Sequence, residues 1–126
     1  MTLVLDAGAL IALERGDVRV VRQLKLAHDA GQPPLTHGGV VAQVWRGGDH
    51  RQALLAQVLA GIDVLPLDEA LGRRAGRLLA RSRTSDAIDA AVVAMADDGD
   101  QILTSDPIDI GILADLSGRQ LTIVPT

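Results

Sequence analysis

Cysteine is absent from the chain, which excludes disulfides, thiolate metal sites and a cysteine nucleophile. Aromatic rings are almost absent as well: Trp45 stands alone, with no Phe or Tyr. A surface that stacks successive bases needs several rings, so Trp45 reads as a core or interface residue. No long apolar run occurs. The opening MTLVLDAGALIAL has no basic leader and is broken by Asp6, so neither a signal peptide nor a membrane span is expected, and the cytoplasm is the expected location. A net charge of −4 argues against nonspecific wrapping of duplex DNA. The 126 residues, 48% of them hydrophobic, suit one globular domain spanning residues 1–126.

The charges that are present are segregated. Arg73, Arg74, Arg77, Arg81 and Arg83 fall within eleven residues, whereas the stretch from Thr84 to Gly118 holds eight aspartates and no Lys or Arg. A basic face beside an acidic cluster suits an enzyme that grips phosphates and holds a divalent cation. For the basic run alone, a solvated helix face explains it equally well.

Hydrophobic patterning alternates short strands with helices. Leu3-Val4-Leu5 reads as a buried strand ending at Asp6, followed by a helix from Ala7 to Glu14. Asp17 caps a second helix that ends at Gly31, and Leu35-Thr36 is briefly extended. His37-Gly38-Gly39 reads as a loop, Val40 to Arg46 as a short helix, and Asp49 as the start of another that ends at Gly61. Ile62 to Leu65 is a strand. Asp68 and Glu69 open an Arg-rich helix, and Thr84-Ser85-Asp86 opens an Ala/Val-rich one. Gln101 to Thr104 is a strand, Asp106-Pro107 starts a short helix, and Leu121 to Val124 is the last strand. This order predicts a layered α/β fold with a parallel sheet.

In such sheets, sites form beyond the carboxyl ends of the strands. Asp6 stands at that end of the first strand and Asp106 two residues past a later one, while Asp86 and Asp89 share one face at the start of the helix feeding that later strand. Each acid has a purely structural reading too. Asp6 and Asp106 can cap the helices that follow them, and Asp86 with Asp89 can form a capping-box-like pair. Together, with no nearby Lys to neutralise them, they suit oxygen ligation of Mg²⁺ or Mn²⁺.

The motifs LVLDAGALIAL, GGVVAQVWRGG, SDAIDAAVVAMA and ILTSDP, in this order and spacing, resemble the PIN domain, in particular the VapC-type toxins. The resemblance covers essentially the whole chain. It implies a central parallel sheet of four or five strands flanked by helices. It also implies Mg²⁺- or Mn²⁺-dependent cleavage of single-stranded RNA by metal-activated water, leaving a 5′-phosphate and a 3′-hydroxyl. Carried over by position, Asp6, Asp89 and Asp106 become the catalytic metal ligands, with Asp86 an additional acid. A homodimer and a cognate antitoxin are implied as partners. Two positions depart from the pattern: Gln43 stands where Glu is usual, and Gly8 where a hydroxyl residue is common. Gln43 keeps a carbonyl oxygen but supplies no charge.

Ser105 or Thr104 can place a hydroxyl near a phosphate, or simply close a local turn. Arg46 can clamp a phosphate or cap a helix C-terminus. His28, His37 and His50 lack metal-ligand spacing and read as loop or surface residues. An aspartyl-phosphate enzyme would need a second Asp two residues after Asp6, and Gly8 rules against it. The remaining rival is a PIN-like module that binds RNA or a protein and cuts weakly or not at all, Gln43 having weakened its metal site.

Overall fold

The computed structural model describes residues 1–48 and 50–126. Strand β1 (Leu3–Leu5) is followed by helices α1 (Ala7–Glu14) and α2 (Val18–Asp29), then strand β2 (Leu35–His37). Helix α3 (Gly38–Val44), a 3-10 turn (His50–Gln52) and helix α4 (Ala53–Ala60) lead to strand β3 (Asp63–Leu65). Helices α5 (Glu69–Arg81) and α6 (Ala87–Met95), strand β4 (Gln101–Thr104), helix α7 (Pro107–Ser117) and strand β5 (Thr122–Pro125) complete the chain.

The five strands pair in the order β3-β2-β1-β4-β5, every pair parallel. The expectation of a parallel α/β sheet with four or five strands is met at five. From β1 the chain winds outward to β2 and β3, then returns to the other side of β1 for β4 and β5. The reversal falls between β1 and β4, where Leu5 is in register with Leu103. At such a switch point the loops leaving the two strands diverge to opposite faces and open a crevice. Asp6 and the segment Ser105-Asp106 leave β1 and β4 at this point.

The core fills the two faces of the central strands. Val4, Leu5, Ile102 and Leu103 are buried, and so is the whole of α6 from Ala90 to Met95. Small side chains at Ala90, Ala91 and Ala94 let α6 lie close to its neighbours. Helix α5 packs chiefly on α6 and α7 rather than on the sheet, through Leu71, Ala75 and Leu78. That arrangement resolves how two helices fit between β3 and β4: α5 forms an outer layer, and α6 starts at the carboxyl edge of the sheet.

Several boundaries differ from the sequence reading. His37 is not in a loop but closes β2, fully buried, and α3 begins directly at Gly38. The cause is an unusual cap. His37 Nδ1 accepts the Gly39 N–H at 3.0 Å, while its Nε2 lies 3.0 Å from Ile88 O. A Cβ on Gly39 would sit 2.7 Å from Ile88 Cδ1 and 2.9 Å from the imidazole, so only glycine leaves room for the ring. Helix α4 starts at Ala53 after the 3-10 turn; Asp49, expected to start it, lies outside the described residues. Trp45 is 40% exposed at the end of α3, so it is not a core residue. His28 and His50 are exposed, as expected. Among the described residues no helix is long and apolar enough to cross a membrane.

Candidate active site

Asp6 is the deepest of the acids, 3% exposed at the end of β1. Its Oδ1 accepts the Ala9 N–H at 2.8 Å, which caps α1, and its Oδ2 accepts the Thr104 hydroxyl at 2.5 Å. Burial pushes its pKa above the ordinary 3.8, although hydrogen bonds from Thr104, Ala9 and the Ser105 backbone pull the other way. Thr104 does more than close a turn. Its Oγ1 donates to Asp6 and accepts the Asp106 N–H at 2.8 Å, so one buried hydroxyl ties the first acid to the last, from across the switch point.

The other acids stand at helix starts. Asp86 caps α6, accepting the Ile88 and Asp89 N–H groups at 3.0 Å each. Asp106 caps α7, which opens with Pro107, and accepts the Asp109 N–H at 3.4 Å. The capping readings of Asp6, Asp86 and Asp106 are therefore all realised. Capping leaves carboxylate lone pairs free for a further ligand, since an ionised carboxylate offers about four acceptor sites.

Asp89 differs from these three. Its carboxylate has no hydrogen-bond donor among the described residues, and its pKa is raised to about 6. Burial is the main cause; the charges of Asp86, Asp6, Asp106 and Asp109 follow in that order. Those four names define the cluster physically: α6, β1 and α7 bring their acids near enough to repel one another. Asp109 was missed in the sequence reading. Its pKa is also raised, chiefly by the Asp106 charge. The signal was present in the spacing, because Asp106-Asp109 repeats the three-residue step of Asp86-Asp89 at a second helix start. No Lys or Arg forms an ion pair with any of the five among the described residues.

The auxiliary residues divide. Ser105 is exposed beside the cluster, and its side chain fills the space over Gly8: a Cβ at Gly8 would lie 1.6 Å from Ser105 Oγ. The position that lacks a side chain in α1 thus has a hydroxyl next to it, supplied by the residue that follows β4. Arg46 turns away from the acids and donates to the Ala42 and Trp45 carbonyls at 3.2 and 2.8 Å, the capping reading. Gln43 is exposed on α3, and no hydrogen bond joins it to the acids.

Among the described residues no three His, Cys, Asp or Glu side chains converge tightly enough to enclose an ion by themselves. The donor set nevertheless fits Mg²⁺ or Mn²⁺ in kind. It is all oxygen and uncompensated in charge, and Mg²⁺ keeps most of its waters while taking only one or two carboxylates directly.

Comparison with known proteins agrees with this fold. The PIN domain profile matches residues 3–108. In the crystal structure of VapBC2 from Rickettsia felis bound to a DNA fragment from their promoter, a chain superposes with a TM-score of 0.75 at 11% identity, covering 98% of this chain and 99% of that one. Curated protein sequences give no match. With a family profile spanning most of its length, and a fold that agrees with it, the chain belongs to the PIN domain family.

Proposed function

We propose that this PIN domain is a metal-dependent endoribonuclease acting on single-stranded or loop RNA, and that it is the toxin of a type II toxin–antitoxin pair. The observation that carries the nuclease reading is Asp89, donorless and raised to about 6 by burial and by four aspartates that surround it. Carboxylates held in mutual repulsion without a cation store a cost that a divalent ion removes. Asp6, Asp89 and Asp106 would hold the ion as the catalytic ligands. Asp86, a fourth candidate ligand, and Asp109 add negative potential.

Bound there, Mg²⁺ or Mn²⁺ supplies Lewis-acid stabilisation of a phosphodiester oxygen and activation of water. The protein's own task is placement. Thr104 fixes the Asp6 carboxylate and the start of α7 with one hydroxyl, and His37 anchors the first turn of α6 through Ile88 O. Ser105, an exposed residue, holds its hydroxyl over Gly8 beside the acids, where it would meet a phosphate oxygen. The toxin reading rests on the motif order and on the likeness to a VapBC2 chain. It brings with it a cognate antitoxin, a homodimer and a cytoplasmic setting as proposals, with residues 1–126 as one nuclease domain.

The test is incubation of the purified protein with single-stranded RNA and Mg²⁺ or Mn²⁺, with EDTA and Asp89→Asn as controls. Cleavage that stops in both controls supports the proposal. Binding without cleavage at saturating metal would favour the second reading, a PIN module that binds RNA or a protein partner, for which exposed Gln43 in place of a carboxylate is the supporting observation.

A further inference from the structure

The arginines of α5 are not equivalent. Arg73 behaves as a solvated residue, its Nη2 paired with Glu69 one turn earlier at 2.9 Å. Arg74, Arg77 and Arg81 instead line a single cavity of about 170 Å³, together with Arg119 from the segment after α7. Spaced three and four residues apart, the three α5 arginines follow one helical stripe that spans roughly 10 Å at 1.5 Å rise per residue. The cavity lies against Ala94 and Ser117, at the C-terminal ends of α6 and α7. The aspartates occupy the N-terminal ends of the same two helices.

Part of this concentration of charge is structural. Arg119 Nη1 donates to the Ala94 and Ala96 carbonyls, Arg74 to Ala94 O at 3.4 Å, and Arg81 to Leu116 O at 3.4 Å. These bonds satisfy carbonyls that a helix end leaves orphaned. They use one or two of the five N–H donors on each guanidinium. Arg77 has no hydrogen-bond or ion-pair partner among the described residues, and no carboxylate pairs with any of the four. Helix capping therefore accounts for three arginines and leaves their remaining donors, and the whole of Arg77, without a protein acceptor among the described residues, in a cavity lined by four guanidiniums.

We propose that this cavity is a binding site for a phosphate-bearing polyanion, either a stretch of RNA backbone or a free oligophosphate. The argument is one of complementarity. Guanidiniums present forked donors matched to phosphate oxygens, and like charges gathered without a counter-ion are stabilised by an anion. An elongated stripe suits a ligand with more than one phosphate. The site is independent of the nuclease reading, since it contains none of the aspartates.

The experiment is calorimetric titration of the full chain in EDTA, with inorganic tripolyphosphate in one arm and a short single-stranded oligoribonucleotide in the other. Arg77→Gln should weaken binding about tenfold at low salt, the loss expected for one charge-assisted contact, and should reduce the salt slope for RNA by about one. Arg73→Gln, one turn earlier on α5 but paired with Glu69 and not lining the cavity, should leave both unchanged. Effects in the RNA arm alone assign the site to backbone phosphates, and effects in the tripolyphosphate arm alone assign it to a free anion. Absence of binding in both arms, or equal weakening by the two substitutions, overturns the proposal. Loss of cleavage activity with this binding intact would count against the nuclease reading alone.

Discussion

Gly8 and Ser105 offer a quantitative test of how α1 and β4 meet at the site. Replacing Gly8 with Ala adds a Cβ that would lie 1.6 Å from Ser105 Oγ and 2.4 Å from Ser105 Cβ. Rotation about χ1 moves the hydroxyl aside, but no torsion of Ser105 moves its own Cβ relative to its backbone. Carbon atoms in contact prefer about 3.5–4.0 Å, so α1 and the segment after β4 must separate by roughly 1 Å. Overpacking of this kind costs about 1–3 kcal/mol, and a rigid overlap puts Gly8→Ala near the top of that range. Alanine recovers up to about 1 kcal/mol over glycine in a helix. The net loss is thus about 2 kcal/mol, several degrees in melting temperature for a domain of this size. Ser105→Gly removes both clashing atoms and leaves only Ser105 N, at an ordinary 3.4 Å. The double variant should therefore be more stable than Gly8→Ala alone, with a coupling of about 3 kcal/mol, the whole of the overlap, since alanine's helix gain is kept when the clash is removed. Urea denaturation of the four proteins measures it. A coupling within about 0.5 kcal/mol of zero, the noise of additive sites, would show that the two residues are not in contact and would refute the account of this corner.

Three further outcomes follow from the cluster. Asp89→Asn should abolish cleavage and raise the melting temperature at pH 7. Because the folded pKa of Asp89 lies near 6 against an ordinary 3.8, the folded state holds the extra proton between those values, so parent stability falls as pH rises through that window; melting curves across it should flatten in the variant, and an unchanged profile would remove Asp89 from the repelling group. Saturating Mg²⁺ should raise the melting temperature of the parent but not of Asp6→Asn, since only a native-state ligand stabilises by mass action; no shift in the parent on thermal scanning would count against the site. Thr104→Val keeps the shape but removes the hydroxyl between Asp6 and Asp106, leaving a buried acceptor and a donor short of partners; a loss of about 1–3 kcal/mol in urea denaturation is expected, with cleavage needing more metal, and full stability would show that the bridge is dispensable.

Much of this site was legible as sequence because its acids stand at element boundaries, where local signals are strong. Asp6 follows an apolar triplet, and Asp86 and Asp106 precede apolar helices, one opening with Pro107. Those marks served structure and chemistry at once, which is why capping and ligation looked like alternatives when three of the acids are caps and also members of the charged cluster. What was not legible depends on tertiary contact. His37 has no local pattern that marks a helix cap; its role arises because Gly39 admits the ring and Ile88 O, 51 residues away, accepts from its Nε2. Thr104 resembled an ordinary turn residue because its second partner is 98 residues distant. Asp109 was hidden by its apparent redundancy as a first-turn acid. The division of the α5 arginines between Arg73 and the other three needed the positions of α6 and α7.

The central place of β1 in the sheet also governs when the site can exist. Strand β1 pairs on one side with Leu35 and on the other with Gln101 to Leu103. Asp6 therefore leaves the ribosome about a hundred residues before the hydroxyl that orients it and the acid that completes its group. At translation rates of about 5–20 residues per second, that interval lasts on the order of 5–20 s. Throughout it, the nascent chain carries Asp6 with only its local partner, the Ala9 N–H, and without the crevice. The group of acids proposed as the site is therefore incomplete throughout synthesis and assembles only when β4 inserts beside β1.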